Sequence, residues 1–502
     1  MAKQPSQNEI QTVLALLNSG KLAETESAAK KLLLHYPDVF LLYHALALAQ
    51  DGLGKYSDSA TTYSKALKLQ PNTPDLLFNL GIALTHLNRF EDAVNSYQKA
   101  INLQPKFFEA YGNLGTVLQK QGRVEEAIDA YRQGLKINSQ DARGYFNLGT
   151  ALRDNGQLEE AVTSYQKALH LFPNYSDAHN NLGETLRDQG DMEAAVKSYQ
   201  AALTLNLQHP QANYNMAEFL YLAKRYGEAI PFFEISQLDD WQARSLYCLY
   251  KAERFDEFKT KLDQLVTTTT HASPFIGTLS THYAINFGVE NPYNFCKNGF
   301  NYVYQNSVPQ LAAPNSQLLI DLLHDIKNTE IAERKQGMLH FGTQSSGNLF
   351  KRPEASFRAL AELIKQEFIN YKNQYAGADC ELIASFPDTL DFTSSWYVKM
   401  RKGGYLAPHI HEIGWLSGAV YLAMPKNKVH ADEGSFEYGT HGDNYPQKHN
   451  NFPAQSIMPN VGDIILFPSS LFHRTVPFNA DEERICIAFD LRPATLSKEK
   501  AA

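Results

Sequence analysis

A chain of 502 residues is too long for one ordinary core, so two or more domains are expected. Hydrophobic residues at 43% and charged residues at 20% are globular values. A formal net charge of -8 disfavours nucleic acid or an anionic membrane surface as a partner, because phosphate binding needs a basic face.

The N-terminal stretch MAKQPSQNEIQTVL has no apolar core of the kind a signal peptide carries, and no uncharged run reaches the length of a membrane helix. Cys248, Cys296, Cys380 and Cys486 lack paired spacing and read as reduced, mostly buried thiols. A cytoplasmic protein without a membrane partner is expected.

The first half of the chain repeats. Asn79, Asn113, Asn147, Asn181 and Asn215 follow one another at a constant interval of 34, each opening an NLG or NMA triplet. Tyr63, Tyr97, Tyr131, Tyr165, Tyr199 and Phe233 keep the same step, as do Ala93, Ala127, Ala161, Ala195 and Ala229. Pro37, Pro71, Pro105 and Pro173 share the phase too. Each unit thus pairs a small residue, where two helices cross closely, with an aromatic that fills the gap and a proline that ends the second helix. The pattern resembles the tetratricopeptide repeat and covers residues 8–236 in about seven units. The first unit carries Val13 and Thr25 at the small-residue positions, as an atypical capping repeat would.

The asparagine row falls on the first helix of successive units, which in a solenoid lines the concave face. A row of amides can grip the backbone of an extended peptide through donor and acceptor together. It is similar to the asparagine ladder of the O-linked N-acetylglucosamine transferases, which implies a peptide-binding role for Asn79, Asn113, Asn147, Asn181 and Asn215. Asparagines that merely bridge neighbouring helices are the alternative. Either way, a protein-binding groove for a substrate or a separate partner is expected.

Residues 237–315 keep helical periodicity without the repeat phase and read as a degenerate helical connector, with TTTTH at 267–271 as a loop. From residue 316 to 502 the texture changes. A helix, ASFRALAELIKQEFINYKNQY, precedes short β-rich runs: SSWYVKM, WLSGAVYLAM, GSFEYG, GDIILFPSS and RICIAFDL. A strand is also expected within MLHFGTQSSGNLF. The expected fold is therefore multidomain, an N-terminal α-solenoid followed by a C-terminal double-stranded β-helix or jelly roll.

The chemistry concentrates in APHIHEIGWLSGAVYLAMP. His409 and His411 stand two apart, so both project to one side of an extended segment. His473 follows in FPSSLFHRTVPF, and Arg484 opens the strand RICIAFDL. Two histidines and a carboxylate on one face of a metal are the usual ligand set of a mononuclear iron oxygenase. An arginine entering a barrel interior needs an anion, and its planar fork suits a carboxylate.

The motifs PHIH, LSGAVYL, GDIILFPSSLFH and RICIAF resemble those of the 2-oxoglutarate and Fe(II)-dependent oxygenases, in a bacterial and phage branch, over about residues 394–492. The resemblance implies Fe(II) held by His409, His411 and His473, which are then both catalytic and metal-binding. It implies 2-oxoglutarate as co-substrate, with Arg484 and Tyr421 binding its distal carboxylate, and dioxygen as the second co-substrate. Hydroxylation of a protein or peptide side chain is the default outcome.

Two features depart from the commoner pattern of these enzymes. His411 stands where they have a carboxylate, leaving direct ligation or an outer role with water or Glu412 completing the site. Cys486 replaces a serine beside Arg484 and removes a strong hydrogen-bond partner. His430, His441 and Asp443 lie in a long insert and are expected to shape the substrate mouth or be solvated. The competing functions are a repeat scaffold with an inactive barrel, and a three-histidine dioxygenase that needs no 2-oxoglutarate.

Overall fold

The computed structural model describes residues 5–238, 240–334, 337–387, 390–412 and 414–493. Two compact units divide it, Met1–Phe219 and Leu220–Ala502.

The first unit is a run of antiparallel helix pairs. After Gln7–Asn18 and Leu22–Leu33 come Phe40–Gly52 with Tyr56–Leu69, Pro74–His86 with Phe90–Leu103, and Phe108–Lys120 with Val124–Ile137. Ala142–Asp154 with Leu158–Leu171 and Ser176–Asp188 with Met192–Leu205 continue the series.

Glycine is required at four successive crossings, for a Cβ at Gly81 or Gly115 would sit 2.6 Å from the ring of Tyr97 or Tyr131. Those tyrosines are buried and fill the crossing. The turn inside each pair needs a left-handed residue, supplied by Asn88 at φ 57° and by Gly122 at φ 75°. Helix crossing and turn therefore both follow from residues in the 34-residue phase.

The asparagine row is partly consumed by the same packing. Asn113 bonds the Tyr97 hydroxyl of the preceding pair, and Asn181 likewise bonds Tyr165. Asn79, Asn113, Asn147 and Asn181 stay partly accessible. Asn215 differs: it is buried, and its amide donates to Asn180 Oδ1 and Glu184 Oε1, each at 2.9 Å.

The second unit opens with the helices Tyr226–Ser236, Trp241–Lys251, Phe255–Thr268 and Pro274–Phe287. Thr267 and Thr268 are therefore helical rather than part of the expected loop, their hydroxyls bonding back to the Gln264 carbonyl. Helix does not fill the expected connector, for Tyr304–Ser307 is a strand.

Among the described residues the strands are β1 (Tyr304–Ser307), β2 (Glu333–Arg334), β3 (Leu339–Ser345), β4 (Leu390–His409), β5 (Leu416–Ala423), β6 (Phe436–Gly439), β7 (Ala454–Ile457), β8 (Asp463–Pro468), β9 (Phe472–Thr475) and β10 (Arg484–Pro493). They form one curled antiparallel sheet in the order β1-β8-β5-β10-β4-β9-β6-β7, with β3 on β4 and β2 on β3.

Curling depends on β4, whose first half pairs with β10 while its last residues pair with β9. Register shifts near Leu406, and Gly403 at φ 79°, let one long strand serve both. The sequence expectation SSWYVKM captured only the middle of this strand. The helix Ala355–Gln374 closes the outer face, with Phe368 against Phe392 and Phe489.

In β10 the alternation separates the two faces. Phe489 meets the covering helix, while Arg484, Cys486, Ala488 and Asp490 face an interior cavity of about 520 Å³. All four cysteines are free and buried. Among the described residues no helix is long and apolar enough to cross a membrane.

Candidate metal centre

His409 ends β4 and His473 stands directly opposite it on β9. The antiparallel register brings their ring centroids to 4.3 Å. His411 follows in the loop after β4, with its Nε2 3.3 Å from His409 Nε2. One nitrogen from each of the three rings lies within 4.8 Å of the others. His409 and His473 are buried, and His411 is nearly so.

The tautomers follow from the hydrogen-bond partners. His409 Nδ1 faces the Ala407 carbonyl at 2.8 Å, and His473 Nδ1 faces the Leu471 carbonyl at 3.3 Å. His411 Nδ1 meets the carboxylate of Asp490. Carbonyls and carboxylates only accept, so each Nδ1 donates a proton and each Nε2 is the ring atom left to face the other two rings. Burial, aided by the neighbouring His411, pushes the His409 pKa down to about 4. Burial likewise holds His473 well below the ordinary histidine range, with His409 adding to it.

Three converging Nε2 atoms form a donor set that a cation placed between them would satisfy. Ligands at about 2.1 Å from one ion stand about 3 Å apart when adjacent, close to the His409–His411 separation. The donor set thus fits a divalent transition metal, Fe(II) included.

The rest of the cavity fits an acidic ligand beside that metal. Arg484 is 2% exposed; its Nε donates to the Gly434 carbonyl at 3.1 Å and its guanidinium lies 5.1 Å from the Tyr421 ring. Among the described residues no carboxylate forms an ion pair with it. A buried, unmatched guanidinium is a site for a carboxylate. The Cys486 thiol lies 3.6 Å from Arg484 Nη1, a weak contact where serine would give a strong one. Tyr421 is fully buried beside Arg484, and burial raises its pKa.

A carboxylate stands near the three histidines, on β10. Asp490 stands behind His411, and its oxygens also accept from Ser417 at 2.7 Å and Ser394 at 3.0 Å. Burial opposes its charge, yet His411 and these bonds keep its pKa below the usual carboxylate value. Sequence reading passed over Asp490; the available signal was an acid at an even step from Arg484 in an apolar strand.

Glu412 does not join the three nitrogens. It pairs with Arg244 at 3.0 Å and accepts from the Tyr221 hydroxyl at 3.5 Å. Asp443 lines the cavity and is held by the Tyr247 hydroxyl at 3.1 Å, while its carbonyl accepts from Lys251 at 2.9 Å. His441 instead bonds buried His282, their nitrogens 2.8 Å apart.

Residues 394–490 match the family model described as "Putative 2OG-Fe(II) oxygenase". Residues 42–219 match that of the cilia and flagella-associated protein 70 C-terminal domain. No curated protein shows significant similarity to the chain. Similar solved structures include MamA from Desulfovibrio magneticus, at 26% identity and TM-score 0.33 over 34% of this chain and 96% of that one. YrrB, titled a TPR protein with an unusual peptide-binding site, is 21% identical with TM-score 0.34 over 38% of this chain and 97% of its own. PilF of Pseudomonas aeruginosa is 22% identical with TM-score 0.35 over 44% and 94%. The chain carries a 2OG-Fe(II) oxygenase domain joined to tetratricopeptide-type repeats.

Proposed function

We propose that the chain is a dioxygenase dependent on Fe(II) and 2-oxoglutarate that hydroxylates a side chain of a protein or peptide recruited by its repeats. One observation carries the reading: three Nε2 atoms converge in the same cavity as buried Arg484, which among the described residues forms no ion pair with a carboxylate.

His409, His411 and His473 would hold the metal. Arg484 would bind the distal carboxylate of 2-oxoglutarate, with Tyr421 packed beside the guanidinium. When bound, the pair supplies the oxidation: 2-oxoglutarate, dioxygen and a C–H bond give succinate, carbon dioxide and an alcohol. The protein's own residues orient and exclude water. Trp396, Val398, Met400, Phe436 and Phe467 line the cavity with apolar surface, which favours ordered binding over solvent leakage.

The repeats support a polypeptide substrate. The partly accessible Asn79, Asn113, Asn147 and Asn181 offer amides to an extended backbone, whereas the Asn215 amide is buried on Asn180 and Glu184. Trapping partners on the His473→Ala variant and then adding active protein tests the assignment. A mass gain of one oxygen atom on a trapped partner is expected, and partners that never gain it contradict hydroxylation.

The three-histidine set also suits a dioxygenase that needs no 2-oxoglutarate. That reading leaves Arg484 without a role, and oxygen consumption independent of 2-oxoglutarate would favour it.

A further inference from the structure

We propose that Asp490 is the displaced carboxylate of the metal centre: a positioning residue that acts through His411 and returns the negative charge that a third imidazole lacks. The proposal rests on the metal-binding reading above.

The geometry is built for that role. Asp490 is 5% exposed, and its strand register places Ser394 of β4 on one side and Ser417 of β5 on the other. Both hydroxyls donate to it, and Ser417 is itself 2.7 Å from the Ser469 hydroxyl. Three adjacent strands therefore hold the carboxylate in place before His411 is considered.

Gly414 then stands directly against it. A Cβ on Gly414 would stand 2.7 Å from Ser469 Oγ and 3.2 Å from Asp490 Oδ1, so only glycine lets the loop approach this closely. The result is that His411 Nδ1 lies against a fixed acceptor and its Nε2 is aimed at His409.

A carboxylate behind a ligating imidazole fixes the ring, holds the Nδ1 proton and strengthens Nε2 as a donor. Two histidines and one carboxylate give an iron centre one negative charge, and three neutral imidazoles give none. Asp490 restores the same total charge one hydrogen bond further out.

The test titrates the full-length protein with Co(II) without oxygen, following its visible bands, for the native chain, Asp490→Asn, His411→Asp and the double variant. Asp490→Asn is expected to weaken binding about 10–100-fold. His411→Asp alone is expected to bind poorly, because two carboxylates then face each other without a proton donor. Adding Asp490→Asn to it should restore affinity, since the charge has moved inward rather than vanished.

Ser394→Ala keeps the charge but loosens the carboxylate, and a few-fold loss is expected even if Asp490→Asn folds poorly. Native affinity in both Asp490→Asn and Ser394→Ala, or the same loss from Asp490→Asn in the native and His411→Asp backgrounds, overturns the proposal. Absence of Co(II) binding by the native chain overturns the metal reading itself.

Discussion

Arg244 Nη1 lies 3.0 Å from Glu412 Oε2, which ties the helix Trp241–Lys251 to the residue immediately after His411. The pair is mostly shielded, with side-chain exposures of 16% and 28%, and the guanidinium also stacks 5.2 Å from the Tyr221 ring. A segment that reads as a connector thus braces the loop of the candidate metal centre.

Arg244→Gln should consequently destabilise the second unit by about 1–3 kcal/mol, through a half-satisfied Glu412. Calorimetry should show a lower melting transition, accompanied by weaker metal binding. An unchanged transition would mean the pair is not structural.

His473→Ala removes one of the converging nitrogens without touching the serines and carboxylate around Asp490. Metal affinity should fall by more than the about 10–100-fold expected for an outer hydrogen bond, with the far-ultraviolet circular dichroism unchanged. Equal affinity in variant and native protein would exclude His473 as a ligand.

Arg484→Lys keeps a charge but loses the planar fork that matches a carboxylate. The KM for 2-oxoglutarate should rise about tenfold or more, equivalent to at least about 1.4 kcal/mol. A normal KM would assign the co-substrate carboxylate to another group.

The repeats were open to sequence reading because each unit is local. A helix crossing needs glycine and tyrosine within one repeat, as Gly115 and Tyr131 show, and the constant interval exposes the requirement four times over, at Gly81, Gly115, Gly149 and Gly183. His409, His473 and Arg484 were found by motif, and their convergence required only that the strands pair. Asp490 was not legible because its meaning depends on three strands far apart in the chain coming into register around Ser394 and Ser417. Likewise, the four residues of β1 become a strand only by pairing with β8, more than a hundred residues later.

Gly115→Ala tests the packing half of that statement. The added methyl would stand 2.6 Å from the Tyr131 ring and 2.7 Å from its Cζ. A loss of about 1–3 kcal/mol is expected for such overpacking, read as an earlier melting transition of the repeats. The same change at Gly112, where a Cβ meets nothing within 4 Å, should be neutral or stabilising.

Glu26 provides a pH test of the first repeats. Lys30 and Lys55, each 2.7 Å from its oxygens, bring its pKa down to about 2 from 4.5. A depressed carboxylate pKa contributes stability that is complete above 4.5 and is lost as pH falls through about 2. Melting temperatures of native protein and Glu26→Gln should differ most above pH 4.5 and converge towards pH 2. A gap that does not change with pH would show that the carboxylate charge is not the cause.

The most direct measurement is an anaerobic titration of the native protein with Fe(II) and 2-oxoglutarate, followed by admission of oxygen. The account predicts a weak visible metal-to-ligand band that needs both components, and release of succinate once oxygen enters. A well-folded protein that shows neither band nor succinate would contradict it.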